Sequence, residues 1–431
     1  MRTIDLGEYE AHTTKCFTPS MAIREKLARS LAGRIDLTWL AQDELKIVAK
    51  DYVGVVRVTN ELSVRITPKY AGDELDVLTM LATANRLSHL SIEELERDLN
   101  TGPQGDLLEL LCELVVQTSL SVFLAGPLQD YHADSDDLSL LRGRLDLVRQ
   151  TTRHFGRVDV LACRFEEFDH DVLENVVLRE ALKVARTVSK NHPSRRLATA
   201  LHEDFSVLAP GSFPGVGTAR RQLTYNRRNQ HYRAAHNWAL SLLEGHLLDA
   251  PFDDRGERAP VFLISMNTLF EQFVACVFAD CLAGSGIRVS AQAHSEAILW
   301  RGLTSWGPIR PDLLLRKGDQ ELAVDTKYKL YDTKRLAIED LYQGFLYAQA
   351  FTSHSHPLKA VLVYPSLDVE PDLQIDLRPA STTLATVTAA GLPLHSLLRH
   401  LRIGGSMKAD SLVALRERLL ALIDFGSGPT H

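Results

Sequence analysis

Asp312, Asp325 and Lys327 lie within Pro311–Lys329, PDLLLRKGDQELAVDTKYK, and their types and spacing suit the hydrolysis of a phosphodiester. That reaction calls for a hard cation, because the attacking water must lose a proton while the phosphorane and the leaving oxygen gather negative charge. Mg2+ takes oxygen ligands, keeps several waters, and is commonly held by one or two carboxylates together with the substrate phosphate. Asp312 and Asp325 meet that need, with the Thr326 carbonyl as a further oxygen. Lys327 fits a different task, orienting or helping to deprotonate the water and offsetting charge as the transition state forms. An ionised Asp325 between Leu-Ala-Val and Thr-Lys-Tyr risks burial without a partner, and a cation would be one. Ordinary hairpins also carry Pro-Asp and Asp-x-Lys, so the motif alone leaves both readings open.

Convergence of these groups requires particular elements around them. Leu313-Leu314-Leu315 is a short apolar run, Lys317-Gly318-Asp319 is turn chemistry, and Leu322-Ala323-Val324 starts a second run, which together predict a hairpin. Alternation along a strand puts Asp325 and Lys327 on one face and Thr326 on the other. Ile338 to Phe351 is periodic like a helix, with Gln343 and Tyr347 one turn apart on one face, and Ala360 to Pro365 reads as a buried strand. Upstream, Met266 to Leu282 is an amphipathic helix on which Glu271 is the candidate to face the hairpin, a solvated helix carboxylate being the alternative. Gln343 and Tyr347 are supporting candidates, to orient the metal site or contact DNA, or else an amide and a ring in a packed helix face.

With Pro311-Asp312, Asp325-Thr326-Lys327 and Gln343 to Tyr347 in this order, the chain resembles the PD-(D/E)xK nuclease superfamily, in its exonuclease-like branch. Within it the chain is similar to the McrC family, the nuclease subunits of modification-dependent McrBC restriction systems. Leu141 to Leu145 (LRGRL), Cys163 to Asn175 (CRFEEFDHDVLEN), Asn229 to Tyr232 (NQHY), DLYQGFLYA and VLVYP carry that likeness from about Leu141 to Pro365. The resemblance implies a restriction-endonuclease-like core, metal binding by Asp312 and Asp325, and Lys327 as the residue that assists the water. It further implies Mg2+-dependent cleavage of foreign or modified DNA, and a separate McrB-like AAA+ GTPase hexamer whose hydrolysis this chain stimulates. The alternatives are a stand-alone repair or recombination nuclease of the same superfamily, and a non-catalytic activator of an NTPase motor.

The chain has no GxxxxGK[ST] loop, so nucleotide hydrolysis is expected of a partner. A net charge of −7 argues against a general nucleic-acid coat. Arg220, Arg221, Arg227, Arg228, His231, Tyr232 and Arg233, with Tyr225, form a local cationic segment that reads as a DNA-backbone contact or as a solvated loop and helix start. Five cysteines without CxxC spacing indicate neither a disulfide framework nor a zinc ribbon and fit a reducing, cytoplasmic compartment. The sixteen histidines include no HExxH, and the pair His354 and His356 reads as loop histidines, so no zinc is expected. The start lacks a signal-peptide pattern, and the apolar stretch Leu107 to Ala125, interrupted by Glu109 and Glu113, reads as a buried helix, so no membrane is expected.

With 431 residues, the expected architecture is mixed α/β in three regions. Residues 1–75 form a β-containing adaptor domain, 76–255 a mostly helical region, and 256–431 the nuclease domain, with the last boundary in the charged turn Pro251 to Pro260. Asp43 to Lys69 alternates over two runs around Asn60-Glu61 and reads as a long hairpin. Such a hairpin fits a protrusion, as the family's β-rich finger enters the channel of the motor ring, or a simple sheet in a small α+β domain. Helices are predicted over Asp73 to His89, Asp171 to Val188, Ala234 to Leu248 and Asp410 to Asp424, a strand near Thr383 to Val387, and a frayed tail from Gly426.

Overall fold

The computed structural model describes residues 2–41, 43–59, 61–85, 107–246, 250–251, 258–259, 261–291, 298–301, 304–329, 331, 335–351, 358–367, 372–378, 382–402 and 410–423. Asn60, residues 86–89 of the helix expected from Asp73, most of the 251–260 turn, His354, His356 and the tail from Gly426 lie outside them. The chain is mixed α/β and divides into two compact units. One joins residues 1–107 with 250–259 and 263–431; the other comprises 108–249 with 260–262. The expected N-terminal and C-terminal regions therefore pack as one body, through pairings too distant in sequence for local periodicity to reveal.

In the first unit, β1 (Arg2–Gly7) and β2 (Ala11–Lys15) precede α1 (Met21–Leu31), β3 (Ile35–Trp39), β4 (Glu44–Ala49), β5 (Tyr52–Arg57), β6 (Leu62–Thr67) and α2 (Glu74–Ala84). β5 and β6 pair antiparallel as the expected hairpin, but β4 pairs instead with β2 and β3. Nor does the hairpin protrude: β6 also pairs parallel with β1, and Val53, Val56, Leu62, Val64 and Ile66 are buried. The Asp73 side chain caps α2, accepting the Asp76 N–H at 2.8 Å.

The second unit opens on α3 (Leu107–Ala125), among the described residues the one helix long and apolar enough to cross a membrane; 61 % of its apolar stretch is buried within the protein. Its carboxylates are satisfied there. Glu113 accepts hydrogen bonds from Gln117 at 2.7 Å and from the Ser194 hydroxyl, and Glu109 accepts the Lys190 and Asn191 N–H groups at 2.8 and 3.2 Å. Next come β7 (Asp130–Leu138), β8 (Arg144–Leu145), α4 (Leu147–Arg153) and β9 (Leu161–Asp169), in an antiparallel ribbon ordered β7-β9-β8. The helices α5 (Leu173–Val188), α6 (His192–Leu208), α7 (Val216–Gln222) and α8 (Tyr232–His246) complete the unit.

The motif residues of this unit meet where the ribbon leaves the helices. Asn175 donates to the Leu128 and His170 carbonyls at 2.9 and 2.8 Å and accepts the Tyr232 hydroxyl at 2.6 Å; that hydroxyl accepts the Leu128 N–H at 2.7 Å. Asn229 donates to Glu174 at 2.9 Å, and His236 contacts the Glu174 carbonyl at 2.9 Å. Burial of His236 pushes its pKa down to about 4, so the ring is neutral. Tyr232→Phe strips one buried group, the Asn175 amide oxygen, and one half-buried group, the Leu128 N–H, of a partner and is expected to cost about 2 kcal/mol, read as a lower denaturant midpoint. A change below about 0.5 kcal/mol, the size of an ordinary surface substitution, would contradict this account of the hub.

The first unit resumes with the short pair β10 (Ala250–Pro251) and β11 (Arg258–Ala259), then β12 (Val261–Ser265), which joins β1, β6 and β5 in sheet order β1-β6-β5-β12. After α9 (Met266–Cys281) come β13 (Arg288–Ala291), β14 (Ile298–Arg301), β15 (Thr304–Pro308), β16 (Leu313–Lys317), β17 (Gln320–Thr326), α10 (Ile338–Phe351), β18 (Leu358–Ser366), β19 (Leu373–Leu377), β20 (Ala385–Pro393), α11 (Leu394–Arg402) and α12 (Asp410–Leu422). Six of these strands form a mixed sheet ordered β13-β16-β17-β18-β20-β19, with β18 parallel to both neighbours. Gly318, at φ 59°, takes the first central position of the two-residue turn between β16 and β17, where a positive φ is required. α10 packs Tyr347, Ala348 and Phe351 onto Leu314, Ala323 and Ala360. The approach is close: a Cβ on Gly344 would stand 3.0 Å from the Val387 side chain.

Candidate active site

The hairpin delivers Asp312, Asp325 and Lys327 to one end of the six-stranded sheet. β17 runs antiparallel to β16 and parallel to β18, and the pairing continues past its end, the Lys327 N–H donating to the Val363 carbonyl at 2.9 Å. That extension keeps Lys327 on the same face as Asp325, and its Nζ lies 2.7 Å from Asp325 Oδ2. Asp325 is 2 % exposed, and its Oδ1 accepts no hydrogen bond. Asp312, just before β16, is oriented by Thr326, whose N–H and hydroxyl both donate to Asp312 Oδ2, at 2.7 and 2.8 Å.

Burial pushes the Asp325 pKa up to about 6, against the pull of Lys327 and with the help of the negative charges of Asp312 and Asp340. The carboxyl lacks the compensation that an ionised group at this depth requires. Asp312 and Asp325 are the carboxylates here that could hold a cation; among the described residues no three His, Cys, Asp or Glu side chains gather round one point. Two carboxylates match what Mg2+ usually takes from a protein, and an orphaned buried oxygen is what such an ion would satisfy. Because a cation competes with the proton on Asp325, its affinity should be full above pH 6 and fall about tenfold per unit below it. Calorimetric titration with Mg2+ between pH 5 and 8 measures this; an affinity independent of pH would remove Asp325 from the ligand set.

Gln343 and Tyr347 are brought to the same place. Gln343 Nε2 donates to the Tyr347 hydroxyl at 2.8 Å, and that hydroxyl donates to the Arg310 carbonyl at 2.9 Å. The pair thus fixes the segment that leads into Pro311-Asp312. Burial and the charges of Asp325 and Asp312 push the Tyr347 hydroxyl up to about 12, so it stays a donor. Glu271 sits half-buried on α9, beside Phe270, whose ring is 5.6 Å from that of Tyr328. The charges weighing most on Asp325 are those of Lys327, Asp312 and Asp340, and Glu271 is not among them.

Sequence reasoning missed Lys329, Tyr331 and Asp340. Buried Asp340, in the first turn of α10, accepts Lys329 Nζ at 2.9 and 3.3 Å and the Tyr331 hydroxyl. The one available signal was Lys329 itself, two residues beyond Lys327 in strand alternation; nothing local pointed to Asp340. The cationic segment near Arg220 is engaged within its own unit: Arg220 pairs with Glu244 at 2.7 Å, Arg228 donates to the Gln129 carbonyl at 2.7 Å, and Arg233 lies over the Tyr225 ring.

This fold has a solved counterpart. The chain is similar, at 18 % identity and a TM-score of 0.57, to a chain of the "Refined half-complex from tetradecameric assembly of Thermococcus gammatolerans McrB AAA+ hexamers with bound McrC", with 98 % of this chain and 100 % of that one covered. A chain of the "Cryo-EM structure of the Thermococcus gammatolerans McrBC complex" aligns at 20 % identity and a TM-score of 0.41, over 65 % of this chain and 88 % of that one. No curated protein matches the sequence. The family model described as "McrBC 5-methylcytosine restriction system component" matches residues 47–365, spanning the ribbon, the hub of Asn175 and Tyr232, and the Asp312, Asp325 and Lys327 cluster. By that match the chain belongs to the McrBC 5-methylcytosine restriction system component family.

Proposed function

We propose that the chain is the Mg2+-dependent DNA endonuclease subunit of its restriction system, with a PD-(D/E)xK site, cutting foreign or modified DNA together with an AAA+ GTPase. The observation that carries this reading is the buried Asp325, with one oxygen unpartnered and the other at 2.7 Å from Lys327, beside an Asp312 that Thr326 holds in place. Asp312 and Asp325 would hold the cation, with the Thr326 carbonyl as a further oxygen. When bound, a divalent cation supplies Lewis acidity, acidifying water and neutralising charge on phosphate oxygen. Thr326 pins one Asp312 oxygen and leaves the other for the ligand role. Lys327, held by Asp325, keeps its ammonium at the site, where it can orient water and balance the charge that builds on phosphate. Tyr347 locks the Arg310 carbonyl, so the backbone entering Asp312 cannot drift.

The partner reading draws on family membership and on the McrB AAA+ hexamers that accompany McrC in the Thermococcus assembly. The ribbon of the second unit supplies a surface for it. Leu140, Leu141, Leu147, Val148, Phe155 and Val158, on or between its elements, are all exposed and offer apolar side chains to a partner. This segment, and not the buried β5–β6 hairpin, fits a finger reaching into a ring. Conversion of supercoiled plasmid to nicked and linear forms in Mg2+ with the partner, and its loss on chelation, tests the nuclease assignment. Cutting that persists in excess chelator would exclude it.

A further inference from the structure

Tyr328, the residue after Lys327, is buried, and its ring packs edge-on against Tyr70 at 5.2 Å and on Phe270 at 5.6 Å. Its hydroxyl reaches back to the N-terminal strands, 3.4 Å from Glu8 Oε2. Glu8, just beyond β1, is fully buried; Oε2 accepts the Lys69 N–H at 2.7 Å, while Oε1 has no partner. A buried carboxylate satisfied on one oxygen costs stability, and such groups persist where the arrangement serves a purpose. What it serves here is visible in the chain direction. Fixing the Tyr328 ring fixes its Cα, and with it the peptide that aims Lys327 at Asp325.

We propose that Glu8 and the Lys69–Ala71 turn form a socket for Tyr328, which makes Glu8 and Tyr328 positioning residues for Lys327. The socket ties the N-terminal strands to the catalytic hairpin across 320 positions of sequence. Its link to catalysis rests on the nuclease reading, whereas the socket itself can be tested without it.

The test compares full-length wild type, Glu8→Gln, Tyr328→Phe and the double variant, each with the partner, DNA and Mg2+. Each single substitution is expected to lower kcat about 10- to 100-fold with KM unchanged, the loss typical of a misplaced catalytic group. The double variant should lose no more than the worse single one, because both act through one contact. Amide hydrogen exchange of residues 326–329 should speed up in all three variants, while β1 and β6 keep their protection. Unchanged kcat, additive losses, unchanged exchange, or faster exchange spread through β1 and β6 would each overturn the proposal. If wild type does not cut, the nuclease reading fails, and the exchange pattern alone decides the socket.

Discussion

On the proposed mechanism the Asp325→Asn variant is expected to lose plasmid cleavage by about 1,000-fold or more, because the cation it would help hold is worth several kcal/mol in the transition state. The same substitution should make the cation-free protein more stable. Asp325 has its folded pKa raised to about 6 from 3.8, so its charge is disfavoured by folding. For an acid shifted this way the penalty begins as pH rises above the unfolded value and is complete above the folded one. At pH 7.5 the shift corresponds to about 3 kcal/mol at most, and about 1 to 2 kcal/mol is expected once the lost pairing with Lys327 is counted. Melting curves in chelator should place the variant above wild type at pH 7.5 and level with it near pH 4. A variant that melts lower at pH 7.5 would show that Lys327 alone compensates the carboxylate, and the orphaned oxygen would lose its meaning as a cation ligand.

The second large effect belongs to the ribbon. Phe155 and Val158, in the loop between α4 and β9, are 85 % and 91 % exposed, so changing both to aspartate touches no core and should leave the melting curve within about 0.5 kcal/mol of wild type. The proposed stimulation of a partner's GTP hydrolysis should nevertheless fall at least about tenfold, the effect of about 1.4 kcal/mol lost when two anchors at the interface are replaced by charges. Mg2+ binding should not change. Full stimulation by the double variant would move the partner surface away from the ribbon.

How much of this was legible in the sequence follows from the range of the interactions. The β16–β17 hairpin, α10 and β18 are set by runs, turns and periodicities within single stretches, and they appear where the pattern placed them. Asp325 and Lys327 meet because side chains two apart on a strand share a face. The orientation of Asp312 by Thr326 needed the register of the hairpin, which pairs Leu313 with Val324. Asp340 and the Glu8–Tyr328 contact were hidden, because each joins segments that only the folded sheet and helices bring together. The β5–β6 hairpin shows the converse failure. Alternation found β6 and β5 but ran β4 and β5 together as one strand, and it cannot tell a protruding hairpin from one whose outer edge is covered by β1.

The most direct measurement of the central claim is plasmid cleavage in Mg2+ by wild type and Asp325→Asn, each alone and mixed with the candidate AAA+ GTPase and hydrolysable nucleotide. The account predicts linear product in the wild-type mixture and none in the other three reactions. Cleavage by the Asp325→Asn mixture at the wild-type rate would contradict it, because the strand would then be cut by something other than the site built from Asp312, Asp325 and Lys327.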